Sequence, residues 1–262
     1  MREQAIYDFM QRRLRGIEPA PLPTATTYLQ PDVQPGHVPG KPGHWTAHIP
    51  SMASRRPPAR SQGHSRGSII DSEDREHVYE SQIERGVAYI LAADRRVAAI
   101  FDQPQPCRYV TPDGKSHRHT LDYLAVQTDG TRVAIAVKPS RRVEKSRICE
   151  TLDLIEHQTQ GQVADRFLVR TEQHASADRV FNARYIIRAR RARNASHVEW
   201  VASVAADLKG AITIENLIAR CDLPQAYTRN AVVNLIDEGV LELVGNVRIG
   251  NTAKVRLAGG VR

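Results

Sequence analysis

The stretch HRHTLDYLAVQTDGTRVAIAVKPS, residues 117–140, constrains the fold more than any other part of the chain. Two apolar-alternating runs flank Thr128-Asp129-Gly130-Thr131, a turn signal, so they read as two neighbouring strands. One acidic residue, Asp122, sits in the first run, and the second ends on Lys138 with Pro139 closing it. A strand carboxylate or ammonium taken out of water is costly unless something pairs with it. Each could satisfy the other as an ion pair, or the two could be held there for chemistry.

The surrounding chain reads as alternating helices and strands. Residues 69–96 read as an amphipathic helix capped by Ser72, with Glu73, Asp74 and Glu76 at its positive end and Ile83, Val87, Ile90 and Leu91 along one stripe. Strands follow at 97–101 and 107–111, the latter leading into the Pro112-Asp113-Gly114-Lys115 turn. After Pro139 a helical pattern runs from Arg141 to about Gln158, then a strand at 166–170 and a helix at 177–193. This order makes residues 69–195 an α/β domain. Three shorter helical patterns at 198–209, 213–221 and 224–239 precede two β runs at 240–258. Three helices followed by a hairpin is the winged-helix order, assigned to residues 196–262.

Residues 1–68 read differently. A short helix is expected over 1–16, but from Ile17 to about Gly67 proline, glycine and scattered basic residues cannot bury enough apolar area to offset chain entropy. The expectation is an extended or disordered basic arm that orders on a partner, with the Arg/His-rich segment 54–66 suited to phosphate. The net charge of +8 and pI near 9.7 favour a polyanionic partner, DNA above all. Cys107, Cys149 and Cys221 form no CxxC pair, and the histidines show no paired spacing, so no zinc site is expected. No apolar stretch reaches the roughly 18 residues of a membrane span, and the N-terminus has no hydrophobic signal core. A soluble cytoplasmic protein without a membrane partner is expected.

A metal-dependent phosphodiesterase needs a helix carboxylate, a strand carboxylate, a ligand on the next strand, and a lysine two residues beyond that ligand. Glu80 and Glu84 lie four apart on one helix face. Asp122 lies on a strand, and Ala136 and Lys138 share one face of the next. The ordered motifs SQIE ending at Glu84, VAAIFDQP with Gln103 and Pro104, TLDYL with Asp122, and AVKP with Lys138 and Pro139 resemble the TnsA family. Members are endonuclease subunits of heteromeric bacterial transposases that cut the 5′ strands at transposon ends. The resemblance implies a restriction-endonuclease-like PD-(D/E)xK domain followed by a small winged-helix domain. It makes Glu84 and Asp122 the carboxylates that hold Mg²⁺ (or Mn²⁺), and Lys138 the residue that stabilises the attacked phosphate.

Two positions depart from the family pattern. Leu121 stands where proline is usual, which removes no ligand. Ala136 stands where Glu or Gln is usual, and a methyl group cannot ligate a cation, which leaves His119, Glu80 or water to complete the shell. The rival expectation is therefore a nuclease-fold adapter with lapsed catalysis, and a third is a restriction or junction-resolving nuclease outside transposition. The expected partners are transposon-end DNA, a DDE transposase subunit and an ATP-dependent regulator. Candidate DNA contacts are Arg188, Arg190, Arg191 and Arg193 on the Arg-rich helix, with Arg229 and Arg248 in the C-terminal domain. If the C-terminal domain read DNA, Gln225, Tyr227, Thr228 and Arg229 would face the groove, and Arg248 and Lys254 the phosphates. The family resemblance assigns this domain to the regulator instead.

Overall fold

A computed structural model describes residues 47–54 and 65–259, so the helix expected at 1–16, most of the arm and residues 55–64 of the Arg/His-rich segment lie outside the described residues. The chain divides into two compact units, residues 1–175 and 176–262. The architecture is mixed α/β, with several sheets and helices. Among the described residues no helix is long and apolar enough to cross a membrane.

The first unit is built on a four-stranded sheet of order β3 (Val97–Asp102), β6 (Tyr123–Gln127), β7 (Arg132–Val137), β8 (Arg166–Arg170). The first two pairings are antiparallel, and β7–β8 is parallel. A parallel neighbour requires a long crossover, which α2 (Ser140–Ser146) and α3 (Ile148–Thr159) supply. The single helix read over this segment is broken at Arg147, whose left-handed backbone (φ 51°) ends α2 and begins α3.

Alternation sorts the strand residues between two cores. Tyr123, Ala125, Val133, Ile135 and Val137 face α1 (Gln82–Ala93), with Val87 and Ala88. Leu124, Val126, Ala134 and Ala136 face α3, with Ile148, Leu152 and Ile155. Because both faces are covered, every residue of β7 is buried, including Arg132 at its start. The Arg132 guanidinium donates to the Asp165 carboxylate and to the carbonyls of Gly161 and Gln162. This charge-assisted fork holds the loop that enters β8.

The helix read from residue 69 begins instead at Gln82. Strands β1 (Gly67–Ile70) and β2 (Glu76–Tyr79) form an antiparallel hairpin ahead of it. The Asp71 carboxylate accepts the N–H groups of Glu73 and Arg75, both at 2.9 Å, and Asp74 adopts φ 67°. The acidic residues read as a helix start thus close a turn, the competing use of aspartate next to the backbone. Ser81, not Ser72, caps the helix.

Part of the arm is also ordered on this unit. Ile49 bridges Arg75, the Ser51 hydroxyl donates to Asp102 at 2.6 Å, and Met52 packs on the cluster facing α3. These contacts satisfy backbone groups and cover apolar surface, so a polar, proline-rich composition did not prevent local docking. Strands β4 (Cys107–Val110) and β5 (Ser116–His119) form the hairpin expected around the Pro112-Asp113-Gly114-Lys115 turn.

In the second unit α4 (Ala177–Arg191) buries Ala183, Ile187 and Ala189. The division of the chain therefore falls before this helix, at 175/176, whereas the sequence reading sets it after the helix at 195/196. Ala189, with the half-buried Tyr185 and Ile186, joins α4 to the core formed by α5 (Ala195–Ala206), α6 (Ile214–Ala219) and α7 (Gln225–Asp237). A small antiparallel sheet of order β10 (Leu241–Leu243), β11 (Lys254–Leu257), β9 (Ile212–Thr213) completes it.

Candidate active site

The first turn of α1 fixes one carboxylate. Ser81 accepts the N–H of Glu84 at 3.2 Å, and Glu84 reaches back with Oε2 to accept the N–H of Glu80 at 2.7 Å. This reciprocal arrangement is close to a capping box, and it holds Glu84 at the positive end of the helix. Tyr123 secures the same turn to the sheet, its hydroxyl lying 3.2 Å from the Glu84 carbonyl and 3.3 Å from that of Val78.

Asp122 directly precedes β6, and its Oδ2 accepts the Val137 N–H at 2.6 Å. Lys138 directly follows β7 and donates its N–H to the Arg170 carbonyl at 3.0 Å. Pro139, lacking an N–H, ends the strand and caps α2. The ends of the two central strands therefore carry the carboxylate and the ammonium at the same end of the sheet.

The electrostatics tie the group together. Burial, then the Glu84 carboxylate, push the Asp122 carboxyl up to about 7, against the Val137 N–H and the Lys138 ammonium, which pull it down; Glu80 adds to the rise. Burial, then Glu84 and Asp122, raise the Tyr123 hydroxyl far above its ordinary range. Burial, then Lys138, depress the His119 imidazole, whose Nε2 is buried without a hydrogen-bond partner. Glu84, Asp122 and Lys138 are thus brought together, with Glu80 and His119 around them.

Ala136 lies beside this gathering but adds no donor to it. Extending the β6–β7 register by one residue sets it opposite Asp122, and its methyl is fully buried on the face covered by α3. Among the described residues no three His, Cys, Asp or Glu side chains assemble a metal-binding group. The donors present nonetheless fit Mg²⁺ or Mn²⁺. Two carboxylates in a crowded, partly buried site repel each other until a cation joins them, and Mg²⁺ is commonly held by one or two carboxylates with water and phosphate.

Several basic residues of the second unit are engaged within the fold. Arg190 makes a fork to Asp237 at 2.8 and 2.7 Å, and the Asp237 side chain is only 3% exposed. This guanidinium holds α4 to α7 and is not a surface phosphate contact. Arg193 pairs with Glu238, Arg248 with Asp178 and the Phe181 ring, and Arg229 with Asn251. Arg188 and Arg191 are exposed. Thr228 is fully buried, its hydroxyl bonded to the carbonyls of Leu223 and Pro224, so it cannot face a groove. Tyr227 is exposed and stacks on His197; Gln225 and Lys254 are also exposed. No family model matches the chain, and no curated protein shows significant sequence similarity to it.

The sequence reading passed over Ser81 and Tyr123, which position Glu84. Ser81 had a visible signal, the S-x-x-E spacing of a capping box. Tyr123 had none, because its role rests on contacts between distant segments.

Two outcomes follow from this geometry. Between about pH 4 and 7 the folded chain holds a proton on Asp122 that the unfolded chain releases, so this carboxyl lowers stability as pH rises through that window. Asp122→Asn keeps an oxygen for the Val137 N–H and is expected to melt higher than the parent at pH 8 in EDTA, with the two converging near pH 4. Each gain of about 1 kcal/mol moves the midpoint by about 2–4 °C in a domain of this size. Arg190→Ala is expected to destabilise the second unit by about 1–3 kcal/mol in urea, because it strips the guanidinium from a buried carboxylate.

Proposed function

We propose that the chain is a Mg²⁺-dependent DNA endonuclease subunit of a heteromeric transposase, cutting the 5′ strands at transposon ends. The observation that carries this reading is the convergence of Glu84, Asp122 and Lys138 at one end of the central strand pair. On this reading the first unit is a restriction-endonuclease-like PD-(D/E)xK domain. Its mixed sheet with helices on both faces suits that fold, and the helices and three-stranded sheet of the second unit suit a winged helix.

Glu84 and Asp122 would hold the Mg²⁺ or Mn²⁺ ion, which when bound activates water and offsets charge on the phosphorus. The capping box and the Tyr123 hydroxyl keep the Glu84 carboxylate aimed from the start of α1. The Val137 N–H keeps Asp122 facing the strand ends while leaving its other oxygen available. Lys138 directs its ammonium at the non-bridging oxygens of the scissile phosphate and disperses the charge that builds there. The exposed aromatic residues Trp200 and Tyr227 of the second unit suit docking to a protein such as the ATP-dependent regulator, with the DDE transposase as the third component.

A specific observation favours a second reading, a nuclease-fold adapter that bridges DNA, transposase and regulator without cutting. Ala136 places a buried methyl where a third ligand would strengthen the site. Replacing it separates the two: nicking that rises in Ala136→Glu marks a weakened enzyme, and metal-dependent nicking in neither form marks an adapter.

The experiment is strand-specific nicking of end-containing duplex by the chain reconstituted with transposase and regulator, in Mg²⁺ and in Mn²⁺. The parent is expected to cut the 5′ strands. Asp122→Ala is expected to abolish cutting while leaving DNA affinity within severalfold, because it removes a carboxylate and no phosphate contact. Equal cutting by parent and variant overturns the assignment of Asp122.

A further inference from the structure

Among the described residues strands β4 and β5 pair only with each other, and their register opposes two arginines, Arg108 and Arg118, directly across the pair. Both side chains project from the same face, and both residues are exposed. Like charges placed opposite each other on neighbouring strands are destabilising. Among the described residues neither arginine has an ion pair or a hydrogen-bonded acid. The contrast with the second unit is direct, since Arg190, Arg193 and Arg248 each meet a carboxylate there.

The hairpin that carries this repulsive pair is firmly held. Gln158 of α3 accepts the Val110 N–H at 2.8 Å and donates to the Val110 carbonyl at 2.7 Å. Cys107 is buried at its root, and Tyr109 packs on the core facing α3. The tip closes through Thr111 N–H to the Lys115 carbonyl at 3.0 Å, with Gly114 at φ 79°. Two guanidinium groups are therefore presented together from a rigid platform, which removes much of the ordering cost of binding an anion.

The same hairpin leads to the candidate active site. His119 ends β5, lies three residues before Asp122, and sits close enough to Lys138 to feel its charge. The rings that could stack on a base, Tyr109 and His117, lie on the other face and stack on each other at 5.5 Å. The arginine face offers charge without a stacking platform, which suits the backbone of a duplex and not unstacked bases.

We propose that the β4–β5 hairpin is a phosphate-binding arm for duplex DNA, with Arg108 and Arg118 gripping the backbone of the strand that enters the Asp122–Lys138 site. The choice of polyanion rests on the endonuclease reading above; the pairing of the two arginines does not.

The test is fluorescence anisotropy of a labelled 30-base-pair duplex with the full chain in EDTA, at several salt concentrations, for parent, Arg108→Ala, Arg118→Ala and the double variant. Each lost contact is expected to lower the log–log salt slope by about 0.9, so the double variant loses about 2 and binds at least about tenfold more weakly at low salt. Its thermal midpoint is expected to be no lower than the parent's, because a repulsive pair has gone. Unchanged affinity and slope in the double variant overturn the arm, even where the parent nicks end DNA. Arginine-dependent binding by a parent that never nicks with its partners supports the arm and overturns the endonuclease. A parent that binds no duplex, or a double variant that loses binding to poly-glutamate and not to duplex, overturns the arm as a DNA contact.

Discussion

The strand Arg132–Val137 is the piece on which the first unit depends. It lies inside the sheet, antiparallel to one neighbour and parallel to the other, with all six residues buried. Its apolar side chains join two cores, so a shift of one residue would exchange the two sets and place Lys138 on the wrong face. The Arg132 fork at one end and the Asp122–Val137 hydrogen bond at the other pin that register. The placement of Asp122 and Lys138 and the stability of the fold are consequently set by the same pairing.

Much of this was legible in the sequence because it rests on local pattern. The runs around Thr128–Thr131 and the turn at Pro112–Lys115 specify hairpins through chemistry confined to a few residues. The position of Lys138 at a strand end followed from that alone, whereas Asp122, read inside its strand, lies one residue before it. The start of α1 was misread because Ser72 and its acidic neighbours satisfy helix-capping rules as well as turn rules. What decides is the Asp71 carboxylate taking two backbone N–H groups, a contact that competes with helix and leaves no periodic trace. The helix α4 was legible, but its place in the second unit was not, because its arginines obscure an apolar face whose partners lie some fifty residues downstream.

The arginines also show why net charge is a poor map of a surface. A chain of +8 could spread its cations evenly, yet the Arg-rich helix commits Arg190 to a buried acid. Removing two groups from water is repaid there by holding helices together. The candidate site shows the reverse. Asp122 sits among carboxylates, with its proton held until near neutrality, so the fold carries a cluster of like charges that protonation and the nearby Lys138 ammonium offset. Local strain of this kind is a common companion of function.

Gln158 carries a consequence beyond fixing a hairpin. Its amide occupies the N–H and C=O of Val110, on the outward side of a strand with no second strand neighbour among the described residues. An open strand edge is a template on which other chains can add and aggregate. One side chain here imitates a neighbouring strand, so the hairpin can project a charged face into solvent while withholding that backbone position from β-sheet growth.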